Sequence, residues 1–191
     1  MIVKGFGIVQ QALITPKPKP YWRFERAIDY MWDEMTSNIW SEPALAMKRL
    51  NAIPLFISPP AAIAAISIFF YMVNDDAAWE HKQKKKLPTI LDLPGTNFYF
   101  PFPDDDQYEY YYDIWSNVHY GYVGTIVGFS PSILQGGGVA NDLSKLNFDW
   151  NDINAINIGI DLANRYGTSL SKENLRQALL NKKDKLSRQR I

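Results

Sequence analysis

One stretch of the chain carries no charged side chain for 21 residues, and its length limits the folds that the protein can adopt. It runs from Ile53 to Val73 and reads IPLFISPPAAIAAISIFFYMV. Its first part is broken by three prolines, Pro54, Pro59 and Pro60, so a helix can run only from about Ala61. A helix of roughly 13 residues is about 20 Å long, which is too short to cross a bilayer. The sequence therefore predicts a buried core helix and no transmembrane segment.

The beginning of the chain is unlike a secretory signal peptide, because its apolar residues are scattered among Gly and Gln and no small-residue cleavage site follows. The run TPKPKP, residues 15–20, alternates proline with lysine, which favours an extended linker. We therefore expect an extended N-terminal arm over residues 1–20, a folded domain over 21–171 and a basic C-terminal helix over 172–191.

The formal net charge of zero hides an acidic centre between two basic ends. Residues 1–27 carry a net charge of +4 and residues 172–191 carry +5, whereas residues 28–171 carry −9. A nucleic-acid groove needs clustered Lys and Arg, so this distribution argues against a nucleic-acid partner.

The absence of cysteine excludes disulfides, and two histidines without cysteine do not make a closed zinc site. We expect neither a metal nor a cofactor.

Hydrophobic spacing predicts a mainly α fold with a small β element, an α+β class. Helical patterns cover residues 24–35, 42–50, 61–73, 74–86, 113–128 and 152–166, and a basic helix follows Ser171. Between them, the aromatic runs NFYFPF and QYEYYY favour short strands or a hairpin. The glycine run at 136–138 lacks the lysine and the flanking strand of a phosphate-binding loop, and is interpreted as an ordinary loop.

The first candidate site residue is Glu34, in the segment DYMWDEMTSN. At about 100° per residue, Glu34 lies at the edge of the apolar face that includes Met31 and Met35. Partial burial there disfavours the ionised carboxyl group, which suits a general acid. The alternative is a solvated glutamate on an amphipathic helix, and spacing alone favours it.

The second candidate is the segment DIWSNVHYGYVG, residues 113–124. On a helix, Asp113, Asn117 and Tyr120 share one face with the two glycines, and His119 lies on another. The glycines permit the close approach of another element. The alternatives are that Asp113 is a helix N-cap and that His119 is a core histidine held by a carbonyl group. Spacing alone again favours these structural roles.

Several blocks of the sequence together resemble the type-44 polymorphic toxin domain. They are MWDEMTSN, then RLN, then WEHK, then YYYDIWSNVHYGYVG with the GFS and the glycine cluster that follow it, and finally AINIGIDLANRYG. The blocks keep the order of that family and span residues 28–170. The family occurs at the C-termini of secreted bacterial toxins and in fungal proteins. The resemblance implies an antibacterial toxin or effector with an immunity protein as partner, delivered to the periplasm or cell wall by a dedicated system.

The resemblance to the fungal members implies a muramidase, a glycoside hydrolase that cleaves peptidoglycan glycan strands, with a lysozyme-like layout. Glycosidases use two carboxyl groups. We expect Glu34 to be the general acid, Asp113 the second carboxylate with Asp76 behind it, and His119 a third catalytic residue. We also expect the Glu34 and Asp113 carboxyl groups to face one open pocket. The expected substrate contacts are Asn38, His81, Tyr112, Asn117 and Tyr120, with sugar stacking on Tyr108, Tyr110 and Tyr111.

Two other functions stay open at this point. The toxin members also imply a nuclease, in which His119 would act as acid or base, alone or with Glu34. The third reading is a non-catalytic interaction module whose basic C-terminal segment docks a partner.

Overall fold

The structure is a computed structural model that describes residues 21–74, 77–82, 86–93, 95, 97–136 and 150–191. The expected N-terminal arm, the candidate Asp76 and most of the glycine run at 136–138 lie outside these residues.

The chain folds mainly into helices, with one small antiparallel sheet, which confirms the α+β prediction. The elements in chain order are α1 Trp22–Asn38, α2 Glu42–Asn51, α3 Pro59–Val73, α4 Leu87–Ile90, β1 Tyr99–Pro101, β2 Tyr108–Tyr111, α5 Ile114–Ile126, α6 Pro131–Leu134, α7 Trp150–Tyr166, α8 Lys172–Lys182, a 3-10 turn Lys183–Lys185 and β3 Arg188–Arg190.

Several helices begin where the sequence places capping residues. The Ser41 hydroxyl accepts a hydrogen bond from Ala44 N at the start of α2. The Ser130 hydroxyl accepts a hydrogen bond from Ile133 N at the start of α6, which opens with Pro131. Ser171 and Asn174 form a reciprocal capping box at the start of α8. These caps satisfy backbone N–H groups that have no partner inside the helix, so the starts of these helices can be read from the sequence.

The sheet has the order β1-β2-β3, and its third strand comes from the C-terminus. Tyr110 of β2 lies opposite Phe100 of β1 on one side and Arg188 of β3 on the other. The basic helix expected over 172–191 therefore ends at Lys182, and the residues after it complete the sheet. The C-terminal segment also contributes buried leucines to the same core as the rest of the chain, namely Leu175, Leu179 and Leu186.

The centre of the fold is the contact between α5 and α7. A Cβ atom built on Gly121 would lie 2.1 Å from the Ile156 carbonyl oxygen, and one built on Gly159 would lie 2.1 Å from the Val118 carbonyl oxygen. Real Cβ atoms do not approach an oxygen so closely, so each helix presents a glycine to the backbone of the other. This approach buries α5 from Ile114 to Gly124 on all its faces.

The helix predicted over residues 74–86 is wrong for the part of that segment that the structure describes. Residues 77–82 form a turn followed by a stretch without regular secondary structure. Trp79, Glu80 and His81 are all buried. Three consecutive side chains on a surface helix would point about 100° apart, so a helix could not bury all three against one core. Burial of this segment overrides the helical propensity of its polar residues.

The apolar segment that limited the fold is a core helix on one face only. α3 begins at Pro59 and buries Ala61, Ala65, Phe69 and Met72, while Ile66 is partly buried against the core. The residues before it, 53–57, are exposed rather than buried. Within the part of the chain that the structure covers, no helix has both the length and the apolar character needed to cross a membrane.

Gly159→Ala should destabilise the protein, because the added methyl group would overlap the Val118 carbonyl oxygen and force α5 and α7 apart. Overpacking of this kind costs about 3 kcal/mol of unfolding free energy. Gly95→Ala is the matched control, since no atom lies within 4 Å of a Cβ built there. Urea unfolding measures both, and equal stability of the two variants would contradict the close packing of α5 on α7.

Candidate functional site

Helix α1 presents three polar side chains at intervals of four residues, Tyr30, Glu34 and Asn38, which therefore lie on one face. The Asn38 amide nitrogen donates to Glu34 Oε2 at 3.1 Å and lies 3.0 Å from His119 Nε2 of α5. An amide nitrogen only donates, so His119 Nε2 is the acceptor and carries no proton. Asn38 thus connects the candidate general acid to a buried histidine 81 residues further along the chain.

The second histidine joins the same network. His81 Nδ1 lies 3.0 Å from the Tyr30 hydroxyl, and the rings of His81 and His119 are 4.6 Å apart, edge to face. Burial raises the pKa of Tyr30, and the charges of Glu34 and Glu80 raise it further. Because both charges act on one hydroxyl group, Glu34 and Glu80 lie near Tyr30.

Both imidazoles are neutral at physiological pH. Burial lowers the pKa of His81 to about 3, and the charge of Lys86 adds to the effect. Burial also lowers the pKa of His119 well below its usual value, with His81 and Lys86 contributing. Desolvation disfavours the charged imidazolium and so lowers both pKa values. No carboxylate contributes an opposing shift to the pKa of either histidine.

Next to the histidines lies a cavity of about 160 Å³. Its apolar wall includes Phe70, Val73, Trp79 and Tyr120. Its polar lining consists of Asn74, Glu80, His81, Lys82, Ser116, Asn117 and His119. His81 Nε2 and Ser116 Oγ are buried and have no hydrogen-bond partner among the residues that the structure describes. Buried polar atoms are normally paired, so these two atoms favour a bound polar group in the cavity.

Glu80 is the acidic residue of this cavity, and the sequence interpretation missed it. Its side chain is buried, and Oε1 accepts a hydrogen bond from Lys82 N. Glu80 belongs to the WEHK block, of which all four residues line the cavity. The signal was therefore present in the sequence, but the helix predicted for this segment assigned Glu80 to a solvated face.

Asp113 occupies a different position from the one expected. Neither Asp113 nor Glu34 is among the residues that line this cavity. Asp113 Oδ2 lies 2.8 Å from Lys82 Nζ, in an ion pair whose carboxylate side chain is 16% exposed. Burial raises the pKa of Asp113, while Lys82 opposes that shift. Asp113 stands just before α5, but its side chain makes no capping hydrogen bond.

The predicted substrate contacts divide into two groups. The first group lies with the candidate catalytic residue His119 in the histidine network or in the cavity, and consists of Asn38, His81, Asn117 and Tyr120. Asn117 Nδ2 also donates to Asp152 Oδ1 of α7 at 2.7 Å, which ties the cavity wall to the neighbouring helix. The Tyr112 hydroxyl donates to the Lys82 carbonyl oxygen at 2.8 Å and so holds the WEHK segment in place.

The tyrosines that were expected to stack on sugars pack their rings against other side chains of the protein. Tyr110 is fully buried, with its ring 4.1 Å from that of Phe102, so its stacking on a sugar is excluded. Arg188 covers the ring of Tyr108 at 4.1 Å. Tyr111 packs its ring against Tyr99 across the sheet. Burial and the hydrogen bond to Asp105 raise the pKa of Tyr110 to about 12.

No group of three or more His, Asp or Glu side chains within the described ranges is arranged to hold a metal ion. The side chains that meet at this site supply carboxyl groups, neutral imidazoles, amides and a tyrosine hydroxyl.

Comparison with known proteins gave one match. The model of a family described as bacterial toxin 44 matches residues 68–165, more than half of the chain. The match includes the WEHK block and all of α5, which both line the cavity, and nearly all of α7, which packs against α5. No curated protein and no solved structure matches the chain.

The two neutral histidines predict how stability depends on pH. Below a pH of about 6.5 the unfolded chain binds protons at His81 and His119, whereas the folded protein does not until about pH 3 for His81. The unfolding free energy should therefore fall on acidification, by about 1.4 kcal/mol per pH unit for each histidine. Urea unfolding across this range measures the slope, and His81→Gln should reduce it. An imidazole NMR signal that titrates at its ordinary pKa would contradict the burial of these rings.

Proposed function

This chain belongs to the bacterial toxin 44 family, and we propose that its toxic activity is hydrolysis of a glycosidic bond in peptidoglycan. The chain is thus a toxin domain that acts in target cells. The specific chemistry is inferred from the side chains that converge around the two histidines.

The observation that carries this proposal is the presence of two carboxyl groups around one rigid polar network. Glycoside hydrolysis needs a carboxyl group that protonates the leaving oxygen and a second that stabilises or activates the attacking group. Glu34 is partly exposed at the outer side of the network, and Glu80 is buried in the cavity. Both carboxylates act electrostatically on the Tyr30 hydroxyl.

Each carboxyl group has a role that fits its surroundings. Asn38 holds only Oε2 of Glu34, which fixes the side chain and leaves Oε1 to deliver a proton to the leaving oxygen. The Lys82 backbone N–H donates to Oε1 of Glu80 and holds the carboxyl group in place. Glu80 then stabilises the positive charge that develops on the sugar or activates water.

This assignment moves the second carboxylate from Asp113 to Glu80. The Asp113 carboxylate is paired with Lys82 and lies outside the cavity lining. Its proposed role is to position Lys82 and, through it, the WEHK segment.

The neutral histidines argue against a nuclease in which His119 acts as general acid. Such an acid must carry a proton at working pH, and burial lowers the pKa of His119 well below its usual value. Among the described residues that line the cavity, the cation is Lys82, and it is paired with Asp113. A glycan, which is uncharged along its backbone, fits the lining better.

The partners and the place of action follow from the proposed substrate. The peptidoglycan strand would be reached in the periplasm or cell wall of the target cell. A producing cell would then need an immunity protein that blocks access to Glu34 or to the cavity.

Glu34→Gln and Glu80→Gln should each lower the release of reducing ends from purified peptidoglycan by about a hundredfold or more, because an amide can neither donate the proton nor carry the negative charge. Both substitutions keep the shape of the side chain, so the thermal midpoint should stay near that of the wild type. Asp33→Asn is the matched control, since Asp33 is an exposed carboxylate on the same helix as Glu34.

Asp113→Asn distinguishes the two candidates for the second carboxylate. We expect this variant to retain more activity per folded molecule than Glu80→Gln. Full activity of both glutamine variants would overturn the proposed carboxyl pair. Degradation of RNA or DNA by the wild type, abolished in His119→Ala, would establish the nuclease instead.

A further inference from the structure

An apolar patch covers one side of the domain. It consists of the exposed side chains of loop 52–58 and of the outer face of α3, namely Ile53, Leu55, Phe56, Ile57, Ile63 and Tyr71. These are six of the eight large hydrophobic residues that are exposed in the described part of the chain. Phe56, at the tip of the loop, is 86% exposed. Exposed apolar side chains scattered singly need no explanation, but a cluster of this kind marks an interaction surface.

The charges beside the loop end of this patch are positive. Between Pro43 and Asn74 the sequence contains no Asp or Glu, and its two charged residues are Lys48 and Arg49. Both lie in the last turn of α2, directly before the loop. The acidic residue nearest in sequence, Glu42, begins α2 at its other end. Glu42 lines a surface pocket together with Tyr71 and so borders that end of the patch, whereas the charged residues next to the loop end are the two cations.

A partly exposed tryptophan adds to this arrangement. Trp40 is 60% exposed, and Lys48 Nζ lies 4.9 Å from the centre of its ring. Amphipathic aromatic rings and neighbouring cations are enriched at the headgroup level of membranes.

The backbone of the loop is suited to a medium that contains little water. Pro54, Pro59 and Pro60 have no N–H group. Ile57 N and Ser58 N both donate to the Pro54 carbonyl oxygen, at 2.9 and 3.1 Å. A loop in which prolines and internal hydrogen bonds reduce the number of free N–H groups can enter an apolar layer at a smaller desolvation cost than a fully open loop.

From these observations we propose that the apolar patch inserts into the headgroup and acyl-chain boundary of an anionic lipid bilayer. Phe56 and its two neighbours, Leu55 and Ile57, enter the boundary, while Lys48 and Arg49 contact the anionic headgroups. The attachment is peripheral. The outer face of α3 carries the patch, and the inner residues Phe70 and Val73 of the same helix line the cavity. Membrane attachment would therefore fix the orientation of the cavity relative to the bilayer.

Flotation of the 191-residue protein with vesicles tests this proposal. We expect binding to vesicles that contain phosphatidylglycerol and roughly tenfold weaker binding to vesicles of phosphatidylcholine alone, because the cations add an electrostatic contribution. Phe56→Asp should weaken binding to the anionic vesicles by roughly tenfold or more, since it places a charge in the apolar layer. Its control is Ile191→Asp, which changes an equally apolar residue that is 72% exposed at the C-terminus.

A charge-reversal pair tests the electrostatic part. Arg49→Glu should weaken binding to phosphatidylglycerol vesicles, whereas Arg26→Glu, an exposed position on α1, should leave it unchanged. The four substituted positions, Phe56, Ile191, Arg49 and Arg26, are all exposed. Circular dichroism should therefore give wild-type melting curves for all four variants, and a loss of binding would not reflect unfolding.

Three results would overturn the proposal. One is no flotation with either type of vesicle. Another is equal loss of binding in Phe56→Asp and Ile191→Asp. The third is a dimer in sedimentation velocity that Phe56→Asp converts to a monomer, which would assign the patch to a second copy of the chain. None of these measurements depends on peptidoglycan hydrolysis, so the membrane proposal and the proposed enzymatic function can fail independently.

Discussion

The close contact of α5 with α7 is the constraint on which the rest of the site depends. Gly121 and Gly159 let each helix touch the backbone of the other, and no side chain larger than hydrogen fits at either contact. This contact buries α5 on every face and sets the depth at which Asn117 and His119 lie. At this depth the Asn117 side chain donates a hydrogen bond to Asp152 of α7, and His119 accepts one from Asn38 of α1. The cavity wall is therefore a consequence of helix packing.

The electrostatics of the site follow from that depth. Burial keeps both imidazoles neutral, so they serve as hydrogen-bonding groups within a fixed network. The acidic residues are then the groups left to carry proton transfer, and they differ in exposure. Glu34 lies at the outer side on α1, whereas Glu80 is buried in the cavity and Asp113 is held by Lys82. These differences are the physical basis for proposing Glu34 and Glu80 as the reacting pair.

Much of the fold can be predicted from the sequence, because its helices begin at capping residues and have clear apolar faces. α8 starts at the expected Ser171, and serines also cap α2 and α6. The segment around Glu80 could not be predicted, since its polar residues and terminal lysines are typical of a surface helix while tertiary contacts bury it. The role of Asp113 could not be predicted either, because its carboxylate pairs with Lys82, which lies 31 residues away in the sequence. Local spacing also could not show that loop 52–58 is exposed, because an apolar run looks the same in a core and on an interaction surface.

The chain contains only two histidines, and both belong to the proposed site. Their imidazole NMR signals therefore report on the cavity without assignment ambiguity from other histidines. The most direct measurement is a titration of the Glu80→Gln variant with an N-acetylated peptidoglycan glycan fragment and, separately, with an RNA oligonucleotide. The account predicts that the glycan fragment shifts both imidazole signals and that the RNA shifts neither. Shifts with RNA alone, or none with either ligand, would contradict the assignment of this site to glycan hydrolysis.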